Sequence, residues 1–125
     1  MPNCTKVSYF GFYHCDALTS INLPNCLSID EGFTYCSNLT SVYLSKCEWI
    51  ASTAFRYCSN LISFYLYKSD TTAIMDTNYL TFYTTPIYTS TITGNWGSIY
   101  VPNNLLDTYK TATNWAYYSN RIVGM

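Results

Sequence analysis

Cysteine is the most reactive residue type in this sequence, and its spacing is regular. The six cysteines fall into two series with steps of 21 or 22 residues: Cys4, Cys26 and Cys47, and Cys15, Cys36 and Cys58. Structural zinc sites pair their cysteines as CxxC or CxxxC, and the sequence has no such pair. Distances of about 5 Å between Cα atoms of stacked repeats permit disulfides, but parallel side chains make the bond awkward. We therefore predict free thiols that act as small buried side chains, and no metal site.

The sequence offers no other set of residues for catalysis. His14 is the only histidine, and the equivalent repeat positions hold Tyr35 and Tyr57, so we interpret it as a variant of an aromatic position. No serine or acidic partner lies at catalytic spacing from it. The seven acidic residues are scattered and show no calcium-loop pattern. We therefore predict a protein that is not an enzyme and needs no cofactor.

The composition is that of a folded chain with an almost uncharged surface. Of 125 residues, 49% are hydrophobic and 10% are charged, with a net charge of −1, so Ser, Thr, Asn and Tyr must cover the surface. Nucleic acids and anionic membranes attract clusters of Lys and Arg, which are lacking. No apolar run could span a bilayer, and the opening residues lack the basic start of a secretory signal. We expect one domain, no nucleic acid, no membrane insertion, and an undetermined location.

The cysteines belong to a longer repeat. Other apolar residues keep the same steps: Val7, Ile29 and Ile50; Phe12, Phe33 and Phe55; Leu18, Leu39 and Leu61; Ile21, Val42 and Phe64; Leu23, Leu44 and Leu66. Each unit reads C-x-x-I, four or five residues, then F-x-x-C-x-x-L-x-x-I-x-L. The stretches LTSINL, LTSVYL and LISFYL end in an apolar alternation of period two, which predicts a strand with one buried face.

The segments before these strands, such as EGFTYCSN and STAFRYCSN, are too short for an independent helix. They suit a helical turn or a 3₁₀ piece on the outer side. One strand and one short outer element cannot enclose a core, so we expect the units to stack with like residues in rows about 4.8 Å apart. If each inward Leu, Ile or Phe contributes roughly 1.5–3 kcal/mol on burial, these rows supply the stability.

The motif FxxCxxLxxIxLP, in FYHCDALTSINLP, FTYCSNLTSVYLS and FRYCSNLISFYLY, resembles the BspA-like leucine-rich repeats of bacterial surface proteins, phages and some protists. The resemblance implies an α/β repeat fold: a right-handed leucine-rich-repeat solenoid with a parallel β-sheet on its concave face, short helical or 3₁₀ convex segments and a C-terminal helical cap. Within a single domain we place repeats over 1–67, a degenerate repeat or insertion over 68–97, and the last strand and cap over 98–125.

The C-terminal part looks like the terminal cap of that family and carries a helix pattern of its own. The stretch 99–102 aligns with 21–24 and predicts a fourth strand ended by proline. Asn103 or Asn104 can then cap a helix. Its apolar stripe has helical spacing and consists of Leu105, Leu106, Tyr109, Ala112 and Trp115. We expect this unit to cover the end of the stack, with Trp115 as its anchor.

The region from Thr71 to Thr93 is the least repeat-like, because its FxxC motif is reduced to Phe82 and Thr85. It is either a functional loop on a regular scaffold or an eroded repeat. The two-residue turn signal Gly94-Asn95 predicts a hairpin, and an extended loop is equally compatible.

The outward residues of the predicted strands give the best functional signal. They alternate with the inward ones and form a row of serines beside a row rich in tyrosine. The candidate ligand-binding residues are Ser41, Tyr43, Ser63, Tyr65, Tyr67, Lys68, Ser98 and Tyr100. A flat, amphipathic and nearly uncharged tyrosine stripe suits sugar rings or an extended peptide. The alternative is that tyrosine is a favourable strand residue with no further role.

The first unit predicts a second contact surface. MPNC matches LPNC at the start of the second unit, so the chain begins at a repeat boundary and no capping segment precedes it. The first strand edge and the ends of the apolar rows should then face solvent. This assembly edge comprises Val7, Phe10, Phe12, Ile21 and Asn22. We expect it to contact another copy, another protein or an upstream part of a longer solenoid.

These features predict a binding module whose partner is a protein or a glycan. The family resemblance implies adhesion at a bacterial surface or on a virion, and a cell-surface, secreted or virion-associated location, although a fold does not fix a function. The alternative is a structural capping or decoration subunit that acts through assembly with its neighbours, as a homo-oligomer or within a larger particle.

Overall fold

The computed structural model describes residues 4–8, 11–76, 81–88 and 96–125. Its strands are β1 (Lys6–Val7), β2 (Ser20–Leu23), β3 (Ser28–Ile29), β4 (Ser41–Leu44), β5 (Trp49–Ile50), β6 (Ser63–Leu66), β7 (Ile74–Met75), β8 (Ser98–Val101) and β9 (Ile122–Gly124). Its helical elements are a 3₁₀ segment Asn103–Leu105, the helix α1 (Leu106–Thr111) and a 3₁₀ segment Trp115–Arg121. All described helical structure therefore lies in the C-terminal part of the chain.

The strands form two parallel sheets. The long-strand sheet has the order β2-β4-β6-β8-β9, and the short-strand sheet has the order β1-β3-β5-β7. Each coil of the chain adds one strand to each sheet, so neighbours in a sheet come from successive coils. The register is the predicted one, with Val42 opposite Phe64 and Tyr43 opposite Tyr65. The solenoid of stacked repeats is therefore confirmed.

Rows of like residues fill the space between the sheets. Leu23, Leu44 and Leu66 are at most 1% exposed and lie opposite one another in the long-strand sheet. A row of phenylalanines runs beside them, with ring centroids 5.1, 5.5 and 6.0 Å apart along Phe12, Phe33, Phe55 and Phe82. The core is thus continuous from the first described coil to the C-terminal part, as the repeat predicted.

A sharp turn precedes each strand of the long-strand sheet. The amide of Cys36 donates to Phe33 O and that of Cys58 to Phe55 O, both at 3.2 Å, and such i to i+3 bonds are those of a 3₁₀ turn. The outer segments of residues 11–76 make single turns and no helix. The residue before each cysteine position has a positive φ, at a cost of roughly 1–2 kcal/mol each. These angles are 58° at His14, 65° at Tyr35, 63° at Tyr57 and 61° at Thr84.

The short-strand sheet was not predicted from the sequence. Its strands have two residues each, which is too short to display an alternation of period two. Inside it, Val7 lies opposite Ile29, and Ile29 opposite Ile50. The repeat had already aligned these three residues with one another. The sequence therefore predicted this row of buried residues, but it did not predict that they lie in strands.

The C-terminal part closes the end of the stack, as expected. Trp115 is 1% exposed, and its Nε1 donates to Ala73 O at 2.8 Å. The hydroxyl of Tyr109 accepts a bond from Ala73 N at 2.8 Å, so two cap side chains satisfy both backbone groups of one residue. The predicted asparagine cap is wrong: neither 3₁₀ segment nor α1 has a side-chain cap bond. The amide of Asn104 donates instead to Ser69 O at 2.9 Å.

The chain also adds a strand after the cap. β9 pairs in parallel with β8, and Ile99 lies opposite Ile122. Next to this pair, Arg121 is 7% exposed, donates to Pro86 O at 3.0 Å and stacks on the Trp96 ring at 3.3 Å. An arginine at the chain end gave no sequence signal for burial, because its partners are backbone carbonyls and one ring.

Residues 81–88 continue the coils across the irregular region. The amides of Phe55 and Tyr57 donate to Thr81 O and Tyr83 O at 3.0 and 2.8 Å, in the pattern of the earlier coils. Phe82 and Thr85 are fully buried, so the reduced FxxC motif still packs into the core. The rest of the predicted insertion, 77–80 and 89–93, and the Gly94-Asn95 turn lie outside the described residues.

Gly97 is a position where only glycine fits. A Cβ there would lie 2.6 Å from Ile87 N and 2.7 Å from Pro86 C, and these backbone atoms cannot rotate away. We expect Gly97→Ala to lower the free energy of unfolding by about 1–3 kcal/mol, as overpacking does, in urea titrations. Gly11→Ala is the matched control, because Gly11 is exposed and its nearest atom, Ser8 O, would lie 3.2 Å away. Equal losses in both variants would contradict this assignment.

Candidate binding surface

The tyrosines of the long-strand sheet form one stack on its outward face. Tyr43 and Tyr65 have ring centroids 4.7 Å apart at an angle of 6°, and Tyr65 and Tyr100 are 4.6 Å apart at 12°. We call these three residues the tyrosine row. Pairing in register places them at the spacing of parallel strands, and each ring is half-buried. The rings of Tyr43 and Tyr100 therefore cover the two faces of the Tyr65 ring.

The predicted neighbours of the tyrosine row are only partly available. Ser41 and Ser63 are half-buried beside it and Tyr67 is 44% exposed, with its ring 6.0 Å from that of Tyr65. The expectation that Ser98 is exposed is wrong, since it is 9% exposed. The physical reason is β9, whose pairing of Ile99 with Ile122 places buried Arg121 next to Ser98.

Lys68 lies at the end of this surface and is already paired. Its Nζ is 2.8 Å from Asp70 Oδ1 and also donates to Thr71 Oγ1. The bond from Lys68 lowers the pKa of the Asp70 carboxyl. The charge of Lys68 is therefore balanced within the chain, and the tyrosine row itself is an uncharged, polar and aromatic surface.

The assembly edge is less open than predicted. Val7 and Ile21 are 3% and 4% exposed, so the expectation that these two side chains face solvent is wrong. The next coil covers them: Val7 Cγ1 occupies the space that a side chain at Gly32 would need. Phe12 is half-buried and Asn22 is exposed, whereas Phe10 lies outside the described residues.

The cysteines occupy structural positions. All six are free, and Cys26, Cys36, Cys47 and Cys58 are buried as predicted, whereas Cys4 and Cys15 are only half-buried. The thiols of Cys36 and Cys58 donate at 3.0 Å to Phe12 O and Phe33 O in the preceding coil. Burial raises the pKa of Cys47 to about 12 and raises that of Cys58 as well, so these two thiols are protonated at neutral pH and are poor nucleophiles.

Neither a metal site nor a pocket is present in the described ranges. Among residues 4–8, 11–76, 81–88 and 96–125, no three His, Cys, Asp or Glu side chains are placed to share an ion. The same ranges enclose no pocket for a small molecule.

One surface was missed by sequence reasoning. His14, Tyr35 and Tyr57 form a second stack, which we call the corner ladder, with ring centroids 4.6 and 4.5 Å apart. The signal was present, since an aromatic residue precedes the second cysteine in three successive units. Sequence analysis treated it as a repeat position alone, because nothing in the pattern shows on which side of the turn the rings lie.

Each coil has a strand on two of its sides, and rows of leucine and phenylalanine fill the space between them. This arrangement defines a leucine-rich-repeat solenoid. Proteins of this class bind partners along an extended surface. The chain belongs to one family of that class: the BspA type leucine rich repeat region, with 6 copies, matches residues 1–104. No curated protein and no solved structure matches the chain.

The family gives the general kind of function. BspA-type repeats suggest a protein-binding module, the family is one of binding modules and not of enzymes, and its members are generally surface-associated. In the part of the chain that the structure describes, no helix has the length and apolar character needed to cross a bilayer.

Proposed function

We propose that this chain is a non-enzymatic binding module that recognises a protein or glycan ligand through the tyrosine row, and that it serves adhesion at a cell surface or on a virion. The observation that carries the proposal is the stack of Tyr43, Tyr65 and Tyr100, at centroid distances of 4.7 and 4.6 Å. Tyrosine combines apolar area, a hydroxyl group and few rotatable bonds. It is also one of the residue types enriched among those that dominate binding energy.

Stacking prepares this surface for binding. The Tyr65 ring is held between those of Tyr43 and Tyr100, so little of its side-chain freedom remains to be lost when a ligand arrives. Asp70 balances the charge of Lys68 at the end of this surface, whereas the exposed Lys46, at the equivalent position of the preceding unit, donates to Asn25 Oδ1 at 3.0 Å. The tyrosine row itself carries no charge, so the specificity that it provides comes from shape and from hydrogen bonds to its hydroxyl groups.

The test is the triple substitution of Tyr43, Tyr65 and Tyr100 by Ala. Loss of one dominant interface residue weakens binding by about 30-fold or more, so we expect the triple variant to lose detectable binding to a glycan array and to whole cells. Trp49→Ala is the matched control, because Trp49 is 37% exposed on the short-strand sheet. Unchanged binding by the triple variant, with its circular dichroism spectrum intact, would contradict the proposal.

A structural subunit is the second candidate, and one observation favours it. Cys15, Leu18 and Phe12 of the first coil are half-buried and pack on the core, and in the described residues β1 and β2 pair on one side only. Light scattering on the same triple variant separates the two functions. Loss of assembly with ligand binding intact supports the subunit, and loss of ligand binding with assembly intact supports the binding module.

A further inference from the structure

The last strand of the long-strand sheet has an open edge. β9 pairs with β8 on one side, and no strand of the described residues pairs with its other side. Parallel pairing uses the backbone groups of alternate residues, and here the amide of Met125 donates to Val101 O at 2.8 Å. The amides and carbonyls of Ile122 and Gly124 therefore point away from β8. Such a row of backbone groups is a template for one more strand.

The side chains along this open edge are apolar where they are exposed. Val123 lies opposite Tyr100 and is 42% exposed, and Met125, the next residue on the same face, is 45% exposed. In the other direction Arg121 is buried. Natural edge strands often carry a charged side chain or a proline that prevents pairing, and the residues of β9 are Ile, Val and Gly. The edge therefore has no such protection.

The helix next to β9 does not repel a second copy of the chain. α1 packs against β9, and a Cβ on Gly124 would lie 3.3 Å from Leu106 Cδ2. The charged residues of α1 are one acid and one base, Asp107 and Lys110, and the ion pairs of the described chain include neither. Because the charges of α1 sum to zero, two copies that meet here face no net repulsion from it.

A second copy of the edge complements the first. When β9 lies antiparallel to its copy about a twofold axis at Val123, Ile122 of each strand exchanges both backbone hydrogen bonds with Gly124 of the other. Every open backbone group of β9 then has a partner. The two Val123 side chains meet on the outward face, at a position where Cα atoms lie about 4.5 Å apart. The tyrosine rows of both copies lie on that same face.

The opposite end of the solenoid fits this edge less well. The long-strand sheet has five strands and the short-strand sheet has four, so β9 lies one strand beyond the end of the short-strand sheet. A head-to-tail contact that paired β9 with β2 of another copy would hold β1 of that copy about two strand spacings from β7, too far to pair. The symmetric contact leaves no such gap.

We infer that two copies of this chain associate through β9, so that their long-strand sheets form one continuous sheet with both tyrosine rows on one face. The shared edge is short, and small contacts of this kind give weak, transient complexes. We expect a Kd of roughly 1 µM to 1 mM. Two ligand surfaces on one face would strengthen binding to a repetitive ligand, but the dimer itself does not depend on the function proposed for the tyrosine row.

Sedimentation of the full chain measures the association. From about 1 µM to 1 mM protein, we expect the dimer fraction of the parent to rise. Val123→Lys places two like charges side by side at the twofold axis and should weaken association at least about tenfold. Ile74→Lys is the matched control, because Ile74 is an apolar strand residue of the short-strand sheet that is 59% exposed. It should associate like the parent.

A cross-link locates the contact. In Val123→Cys the two new thiols face each other at a Cα distance that a disulfide accepts. Oxidised glutathione supplies the oxidant, since it takes up the two electrons and leaves as two reduced molecules. We expect a covalent dimer joined at position 123 of both copies, identified by peptide mass spectrometry. Asn22→Cys, at the exposed edge of β2, should stay monomeric, and the treated parent gives the background from its own cysteines.

Three results would each overturn the inference. They are a parent that remains monomeric at about 1 mM, a Val123→Lys variant that associates as strongly as the parent, and a Val123→Cys variant that is cross-linked no more than the parent. A cross-link that forms only in a mixture of Val123→Cys and Asn22→Cys would replace the symmetric contact by a head-to-tail one. Circular dichroism checks that each variant is folded, and if Val123→Lys is not, the parent and the cross-link decide.

Discussion

Raising the pH from about 9 to about 12 is expected to remove most of the protein's stability. Burial raises the pKa of the Cys47 thiol from its ordinary 9.0 to about 12. Between these values the unfolded thiol has lost a proton that the folded one keeps, so the free energy of unfolding falls as the pH rises. At about 1.4 kcal/mol per pH unit, this thiol alone accounts for about 4 kcal/mol.

Two further groups act in the same direction. Burial raises the pKa of Tyr109 from 10.0 to about 12, which removes about 3 kcal/mol more over that interval. Burial also raises the pKa of Cys58. Since a domain of this size has about 5–15 kcal/mol in total, these groups together bring it close to unfolding.

Urea titrations at a series of pH values measure this effect. We expect a plateau below pH 9, where the stability is fully present, and a steady decline above it. Cys47→Ala should be less stable than the parent at neutral pH but should lose less stability between about pH 9 and pH 11. A free energy of unfolding that stays level over this interval in the parent would show that the thiol is not buried as described.

Trp115→Ala is expected to lower the free energy of unfolding by about 3–5 kcal/mol, the range for a buried large aromatic residue. The side chain is 1% exposed, its ring meets that of Tyr109 at 5.2 Å, and its Nε1 satisfies Ala73 O. Removing it leaves a cavity and an unpaired buried carbonyl, and each of these carries a cost.

Chemical denaturation followed by circular dichroism gives the measurement for this substitution. Tyr117→Ala is the matched control in the same 3₁₀ segment, because Tyr117 is 51% exposed, and we expect a loss of about 1 kcal/mol or less. The loss for Trp115→Phe should lie between those of the two alanine variants, because phenylalanine keeps an aromatic ring but cannot form the hydrogen bond to Ala73 O. If both alanine variants lose the same amount, Trp115 does not anchor the cap.

Much of the fold could be predicted because each row repeats an apolar residue at steps of 21 or 22 residues. The register of Ile21, Val42 and Phe64 followed from steps of 21 and 22 residues, without any tertiary information. The short-strand sheet could not be predicted, because a strand of two residues is too short to show an alternation of buried and exposed side chains. β9 was missed for another reason: it follows a cap, has no repeat equivalent, and gains its place through pairing with β8.

The same distinction explains which residues of the candidate sites could be predicted from the sequence. The tyrosine row was predictable because alternation along a strand fixes which side chains point outward. Ser98 and Val7 were misplaced because their burial depends on a neighbouring strand or coil, not on alternation. The corner ladder lies in turns, where the spacing of residues alone does not show which way their side chains point.

The coils hold together through contacts with the coil before and the coil after, as in the bonds from Phe33 N to Ala54 O and from Tyr35 N to Arg56 O. The core therefore sets no limit on the number of coils. Duplicating one complete unit would lengthen both aromatic surfaces by one step of about 4.8 Å and leave the terminal part undisturbed. An insertion of one residue would instead turn inward side chains outward. Evolution and protein engineering can thus change the length of such a binding surface by whole repeat units, to match the length of its ligand.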